Sequence, residues 1–234
     1  MLGMGTGASL ENDTMRIIQL ILIGSLLLAT TVAADDFPET TVDGMQRIPD
    51  TTMDAIYALP DATLTPYTRV YIAPVQVSFV AGYKRKINSL YVYHVTDEDM
   101  ENMKRELAAE FTEVFTEVLQ NEGGYVVVDG AADDVLAIRA AIIDLDVNAP
   151  EAGANPNTRG AIPSVGQMTL YMELIDSVSG DILAKAIDHQ WDRTRVRINV
   201  RNKDRNAEAA RAILRDWASQ LRDGLDEAHT RTAK

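Results

Sequence analysis

The chain has 234 residues, 46% of them hydrophobic and 24% charged, which suits one globular domain with added segments. Its net charge of −13 argues against general nucleic-acid binding, because neutralising phosphates needs a basic surface. It has no Cys, which excludes a disulfide framework, a thiolate zinc site, a cysteine nucleophile and a lipidated N-terminal Cys.

The N-terminus reads as an export signal. Arg16 precedes an apolar run from Ile17 to Leu28 that is short for a membrane span, and Val32-Ala33-Ala34 then offers small residues for cleavage. This predicts a signal peptide over residues 1–34 and a mature chain without a transmembrane segment; the alternative is an uncleaved membrane anchor. Residues 35–66 are an acidic lead rich in Thr and Pro, in which only Ala55 to Leu59 has the pattern of a strand. Residues 67–229 are predicted to form a single domain, with 230–234 as a tail.

Arg69 to Phe79 reads as the first firm strand, with β-branched Val70, Ile72, Val75 and Val77 and an edge or bulge at Pro74. Lys84-Arg85-Lys86, flanked by Tyr83 and by Tyr91 and Tyr93, is read either as an ordinary exposed hairpin tip or as a loop that meets headgroups or an anionic polymer. A long helix is predicted from Asp97 to Asn121, capped by Thr96 and stopped by Gly123-Gly124. Its apolar stripe is Met100, Met103, Leu107, Phe111, Val114, Phe115 and Val118.

Tyr125–Asp129 and Val135–Val147 read as strands, and the Gly- and Pro-containing residues 149–164 as a loop. A hairpin follows, from Gly166 to Ile175, through Asp176-Ser177-Val178-Ser179-Gly180, and back to Trp191. Met168, Leu170, Met172 and Leu174 share one face of it by the two-residue period. A last helix is predicted from Asn206 to Ala228, with Ala210, Ile213, Leu214, Trp217, Leu221 and Leu225 as its apolar face and Trp217 as the anchor to the sheet. The order β-α-β-β-β-β-α gives an α+β fold: a mostly antiparallel sheet with two long helices packed on one face.

Signatures of chemistry are sparse. The three histidines, His94, His189 and His229, are far apart, and the chain holds no zinc-protease motif, nucleophile elbow or phosphate loop. Asp188 and His189 are neighbours on a strand, so their side chains diverge. Asp144, Asp146 and Asn148 resemble the start of a calcium loop, but Ala149 and Asn155 stand where the turn Gly and the bidentate Glu belong. No catalytic residue, metal site or cofactor is assigned. The main anomaly is a row of cations at odd positions: Arg193, Arg195, Arg197, Arg201, Lys203 and Arg205. In an extended segment they project to one side. They suit an acidic partner, a cell-wall or lipid anion, or the acidic lead; alternatively they form a charged edge strand that blocks aggregation.

Taken together, the chain resembles the bacterial envelope family known as domain of unknown function 3313. The resemblance is carried by Val42-Asp43-Gly44-Met45, Tyr67, Val70-Tyr71-Ile72-Ala73-Pro74-Val75 and Gly124-Tyr125-Val126-Val127. It continues through Val135-Leu136, Ala140-Ala141-Ile142-Ile143-Asp144-Leu145, Ala149-Pro150, Gly166, Leu170, Asp176-Ser177-Val178-Ser179-Gly180, Trp217-Ala218 and Leu221-Arg222. The resemblance implies an envelope protein and carries no catalytic residue over to this chain. Family members usually carry a lipidated Cys where this chain has Ala34-Asp35, which points instead to a soluble periplasmic protein or to one held at the outer membrane by protein contacts. The expected function is a non-catalytic envelope binding or accessory module for an envelope protein or an anionic wall or lipid component. Its rivals are a hydrolase-like enzyme using carboxylates and arginines, and a structural subunit of an oligomeric envelope assembly.

Overall fold

The fold is built on one long strand. In a computed structural model that describes residues 37–90, 94–147, 165–191 and 203–232, Val135–Val147 (β6) pairs with strands on both sides. In chain order the other elements are β1 (Gln46–Ile48), β2 (Ala55–Ala58), β3 (Arg69–Ile72), β4 (Gln76–Phe79), α1 (Tyr83–Leu90) and α2 (Asp97–Thr116). A π-helical turn (Glu117–Glu122), β5 (Val126–Val127), β7 (Val165–Asp176), β8 (Ile182–Trp191) and α3 (Lys203–Thr232) complete the set.

The sheet order is β1-β2-β8-β7-β6-β3-β5, with β4 also on β6. The fold is therefore α+β, but the sheet is mixed. The strands β1, β2, β8, β7 and β6 run antiparallel in succession, whereas β3 and β4 run parallel to β6, and β5 parallel to β3. The expected mostly antiparallel sheet fails at the helices. A chain that leaves β4, crosses through α1 and α2 and re-enters the sheet returns in the same direction. Three helices are present among the described residues, where two were expected.

Pro74 divides the predicted first strand into β3 and β4, since it has no N–H to give the ladder. Ala73 N–H still donates to Ile138 O at 2.9 Å, which keeps both halves along β6. In β6, Leu136, Ile138, Ala140 and Ile142 are buried, and then the phase slips to Leu145. The slip is a bulge with Asp144 at φ 53°, and the pairing with β7 shifts between Ile143 and Asp146. Ile143, one residue after the inward Ile142, is exposed by the regular alternation, and the register shift that follows interrupts the spacing of Asp144 and Asp146 along the strand.

Helix α2 begins with a capping box. Thr96 Oγ1 accepts from Asp99 N at 3.1 Å and Asp99 Oδ2 accepts from Thr96 N at 2.8 Å. Phe111, Val114, Phe115 and Val118 then enter a core shared with the inward residues of β6 and β7 and with Leu214, Trp217 and Leu221 of α3. The lead contributes more than one strand: β1 and β2 form a hairpin whose second strand adds to β8, with Ile56 opposite Ala186 and Ala58 opposite Ala184.

Candidate binding cavity

The apolar stripe of α3 loses its bulk towards its C-terminal end. Leu221, Gly224, Leu225 and Ala228 follow the i, i+3, i+4, i+7 spacing that faces a core. Leu221 and Leu225 are buried, but Gly224 and Ala228 bring almost no side chain. The sheet beneath is thin in the same place. Two cross-strand rows run Ile56–Ala186–Met172 and Ala58–Ala184–Leu174, each with an alanine on β8. Protein interiors leave few gaps larger than a water molecule. Here small residues on both sides leave a half-open trough of about 430 Å³, a size typical of ligand pockets.

Its roof is the chain on either side of β2. Leu64 and Ala62 line it at one end, Met53 and Ile48 at the other. Two hydrogen bonds tie this roof to α3: Thr52 Oγ1 to the Gln220 side chain, and Thr65 Oγ1 to Ala228 O at 3.4 Å. The ties are eight residues apart on the helix, which is about 12 Å at 1.5 Å per residue. The chain thus meets the helix on both sides of β2, while β2 itself is paired with β8 in the floor. A second hollow of about 260 Å³ adjoins the Met53 end and shares Ile48, Thr51 and Met53 with the first. It is polar, lined also by Glu39, Arg47 and Asp50.

The turn that shapes this end is set by backbone. Asp50 has φ 56°, the left-handed region, and Arg47 reaches across to donate to Asp54 O at 3.1 Å. Asp54 N–H in turn donates to Asp188 Oδ1 at 3.1 Å, and Asp54 Oδ2 accepts from His189 N at 2.8 Å. These bonds clamp β2 to β8 below the trough.

The residues singled out in the sequence lie elsewhere. Arg193, Arg195, Arg197, Arg201 and Tyr91 fall outside the described residues; Lys203 opens α3 with its side chain outside them. The Lys84-Arg85-Lys86 segment is not a loop or hairpin tip but the first half of α1, because Tyr83 and Ile87 at i and i+4 give it a buried side. Tyr83 is buried and donates to Val147 O at 3.1 Å, so it is an anchor rather than a headgroup contact. Lys84 pairs with Asp97 at 2.7 Å and Lys86 with Asp146 at 2.6 Å.

Asp188 and His189 do diverge. Asp188 is buried under Trp217, while His189 sits on the opposite face, its ring 5.4 Å from that of Trp191. Among the described residues no cluster of three His, Cys, Asp or Glu is arranged to hold a metal ion, and no helix is long and apolar enough to cross a membrane. The trough itself was not anticipated. Its signal in the sequence was the pairing of Gly224 and Ala228 with Ala184 and Ala186, small residues at positions whose period marks them as core.

The family described as a protein of unknown function, DUF3313, matches residues 40–221. A comparison with curated proteins finds no match. Among solved structures, the PelC dodecamer from Paraburkholderia phytofirmans is similar at 12% identity and a TM-score of 0.36, covering 71% of this chain and 96% of that one. Protein XCC0632 from Xanthomonas campestris is similar at 11% identity and a TM-score of 0.40, covering 74% of this chain and 91% of that one. Lipoprotein GNA1162 from Neisseria meningitidis is similar at 12% identity and a TM-score of 0.21, covering 64% and 96%.

Proposed function

The chain belongs to this DUF3313 family, and we propose that it is a non-catalytic binding or accessory module of the bacterial cell envelope, exported to the periplasm, that holds an apolar ligand in the trough between α3 and the β2–β8 pair. The observation that carries the reading is the unfilled space itself: alanines on β8 facing a glycine and an alanine on α3, under a roof tied down at both ends. Hydrocarbon walls with a few polar groups at the ends are the usual make-up of a small-molecule site.

Two further facts support it. The apolar run Ile17 to Leu28 followed by Val32-Ala33-Ala34 favours export. The buried carboxylates are engaged in holding the fold: Asp188 by Trp217, Glu173 by Arg139 and by Tyr171. The cations Arg193, Arg195, Arg197, Arg201 and Lys203 would serve a separate contact with an anionic envelope partner.

The test is a titration of the purified protein with the apolar dye N-phenyl-1-naphthylamine, together with osmotic-shock fractionation of cells that express it. Saturable dye binding and release with the periplasmic fraction support the reading. Absence of dye binding, or reproducible turnover of an ester, phosphoester or peptide substrate by the purified protein, overturns it.

A further inference from the structure

The trough and the polar hollow beside it share a wall, and that juxtaposition says more about the ligand than the volume does. We infer that the site takes an amphiphile with one linear alkyl chain, its tail lying along α3 between the two ties and its headgroup seated in the hollow lined by Glu39, Arg47 and Asp50. This rests on the reading of the trough as an apolar binding site.

The shape argument comes first. The trough runs along the helix from Gln220 to Ala228, between the Thr52 and Thr65 contacts, and its floor is two parallel rows of side chains. The α3 residues that line it extend from Gln220 to Ala228, about 12 Å along the helix axis, a spread that suits an extended chain better than a compact ring system. Most of the lining is aliphatic or thioether, with Met53, Ile56, Leu64, Met172 and Leu183 foremost, and Thr63, Lys185, Gln220 and Glu227 add polar groups. Flexible methionines at both the roof and the floor adapt to a chain without fixing one length.

The chemistry of the headgroup follows from the second hollow. It holds one guanidinium against two carboxylates, on a chain with net charge −13. Arg47 is already bonded to Asp54 O. A second negative charge at this place is disfavoured, so the headgroup is zwitterionic or neutral rather than a bare anion. Ile48, Thr51 and Met53 form the boundary where tail gives way to head.

The experiment displaces the bound dye with monomeric dodecylphosphocholine, with laurate, and with a compact apolar competitor, adamantane-1-methanol. The expected order is dodecylphosphocholine first, laurate weaker by about tenfold because of its charge, and the compact alcohol weakest. Gly224→Leu places a side chain in open space, since a Cβ there meets nothing within 4 Å, and it also replaces a helix-interior glycine. Ala58→Leu does the same from the floor. Loss of dodecylphosphocholine binding in either variant, with the melting temperature held or raised, supports the assignment. Binding retained in both variants places the ligand elsewhere and overturns it. A compact competitor that outranks both chains overturns the linear-chain inference while leaving an apolar site. A protein that binds none of the probes, the dye included, overturns both.

Discussion

Asp188 of β8 accepts the indole N–H of Trp217 of α3 at 2.7 Å, with both side chains buried. The same carboxylate takes Asp54 N–H at 3.1 Å and the Gln190 side-chain amide at 2.7 Å. One residue thereby joins the last helix, the hairpin and the lead, the three parts that also enclose the trough. Removing it strands the buried indole N–H and two part-buried donors. Asp188→Ala should cost about 1–3 kcal/mol, the range for leaving a buried donor unpaired, and Asp188→Asn distinctly less because one acceptor oxygen survives. Urea denaturation of the two variants measures the difference. Equal losses would mean that the carboxylate is not the acceptor that matters.

The Tyr67–Asp176 pair predicts a pH dependence with two limbs. Tyr67 Oη donates to Asp176 Oδ2 at 2.6 Å, and Asp176 Oδ1 accepts from Ser179 N and Val178 N. The tyrosine hydroxyl and then these two N–H groups hold the Asp176 carboxyl down from 3.8 to about 2. Its stabilisation is therefore present above pH 3.8 and lost as pH falls through about 2. Burial, and then the Asp176 charge, push Tyr67 up from 10.0 to about 12, so its share is present below pH 10 and lost as pH rises through about 12. Tyr67→Phe should flatten both limbs when the denaturation midpoint is followed against pH. An unchanged acid limb would assign the loss to other carboxylates, such as Asp134 beside Arg69.

Two glycines should respond oppositely to alanine. Gly224 lies inside α3 with open space at its Cβ position, so Gly224→Ala should stabilise by up to about 1 kcal/mol through helix propensity. At Gly123, after the π-helical turn, an added Cβ would come within 2.9 Å of both Leu119 O and Arg222 Cγ. Because one of those neighbours is backbone, Gly123→Ala should destabilise by about 1–3 kcal/mol. Thermal denaturation of both variants checks the sign of each.

Ion pairs lace α2 and its π-helical turn to α3. Arg211 reaches Glu110, Glu113 and Glu117, Arg215 reaches Glu117 and Glu122, and Arg222 reaches Glu122 at 3.0 Å. These side chains are partly open to solvent, so the attraction is screened by salt. Arg211→Ala should lower the melting temperature slightly in dilute buffer, and the difference should shrink as salt is added. A large loss that ignores salt would mean that the stem of Arg211 packs rather than pairs.

The sequence was most legible where one local rule acts alone. Thr96 caps α2 as its position predicts, and the Asp176-Ser177-Val178-Ser179-Gly180 turn closes with Gly180 at φ 80° and Gly180 N–H on Asp176 O at 2.9 Å. Met168, Leu170, Met172 and Leu174 are all buried, as their two-residue spacing requires. Legibility fell where two rules compete. Lys84-Arg85-Lys86 has the composition of an exposed tip, but Tyr83 and Ile87 at helical spacing outweigh it. β1 was missed because three residues, Gln46–Ile48, are too few to show a period, and their partners Ile56 to Ala58 reach the rest of the sheet only through β8.

What the sequence determined by itself is local: the caps, the hairpin turn, the apolar stripes of the two long helices, and the absence of a thiol. These depend on residues within a turn or two of one another. Tertiary structure alone decided the direction of β3 to β6, the bulge at Asp144, the burial of Asp188 under Trp217, and the trough. The physical reason is that an empty space has no sequence of its own. Ala184, Ala186, Gly224 and Ala228 are unremarked residues in their own elements. They form a cavity only because the sheet register sets the alanines opposite Ile56 and Ala58, and the roof is tied to α3 at Gln220 and Ala228.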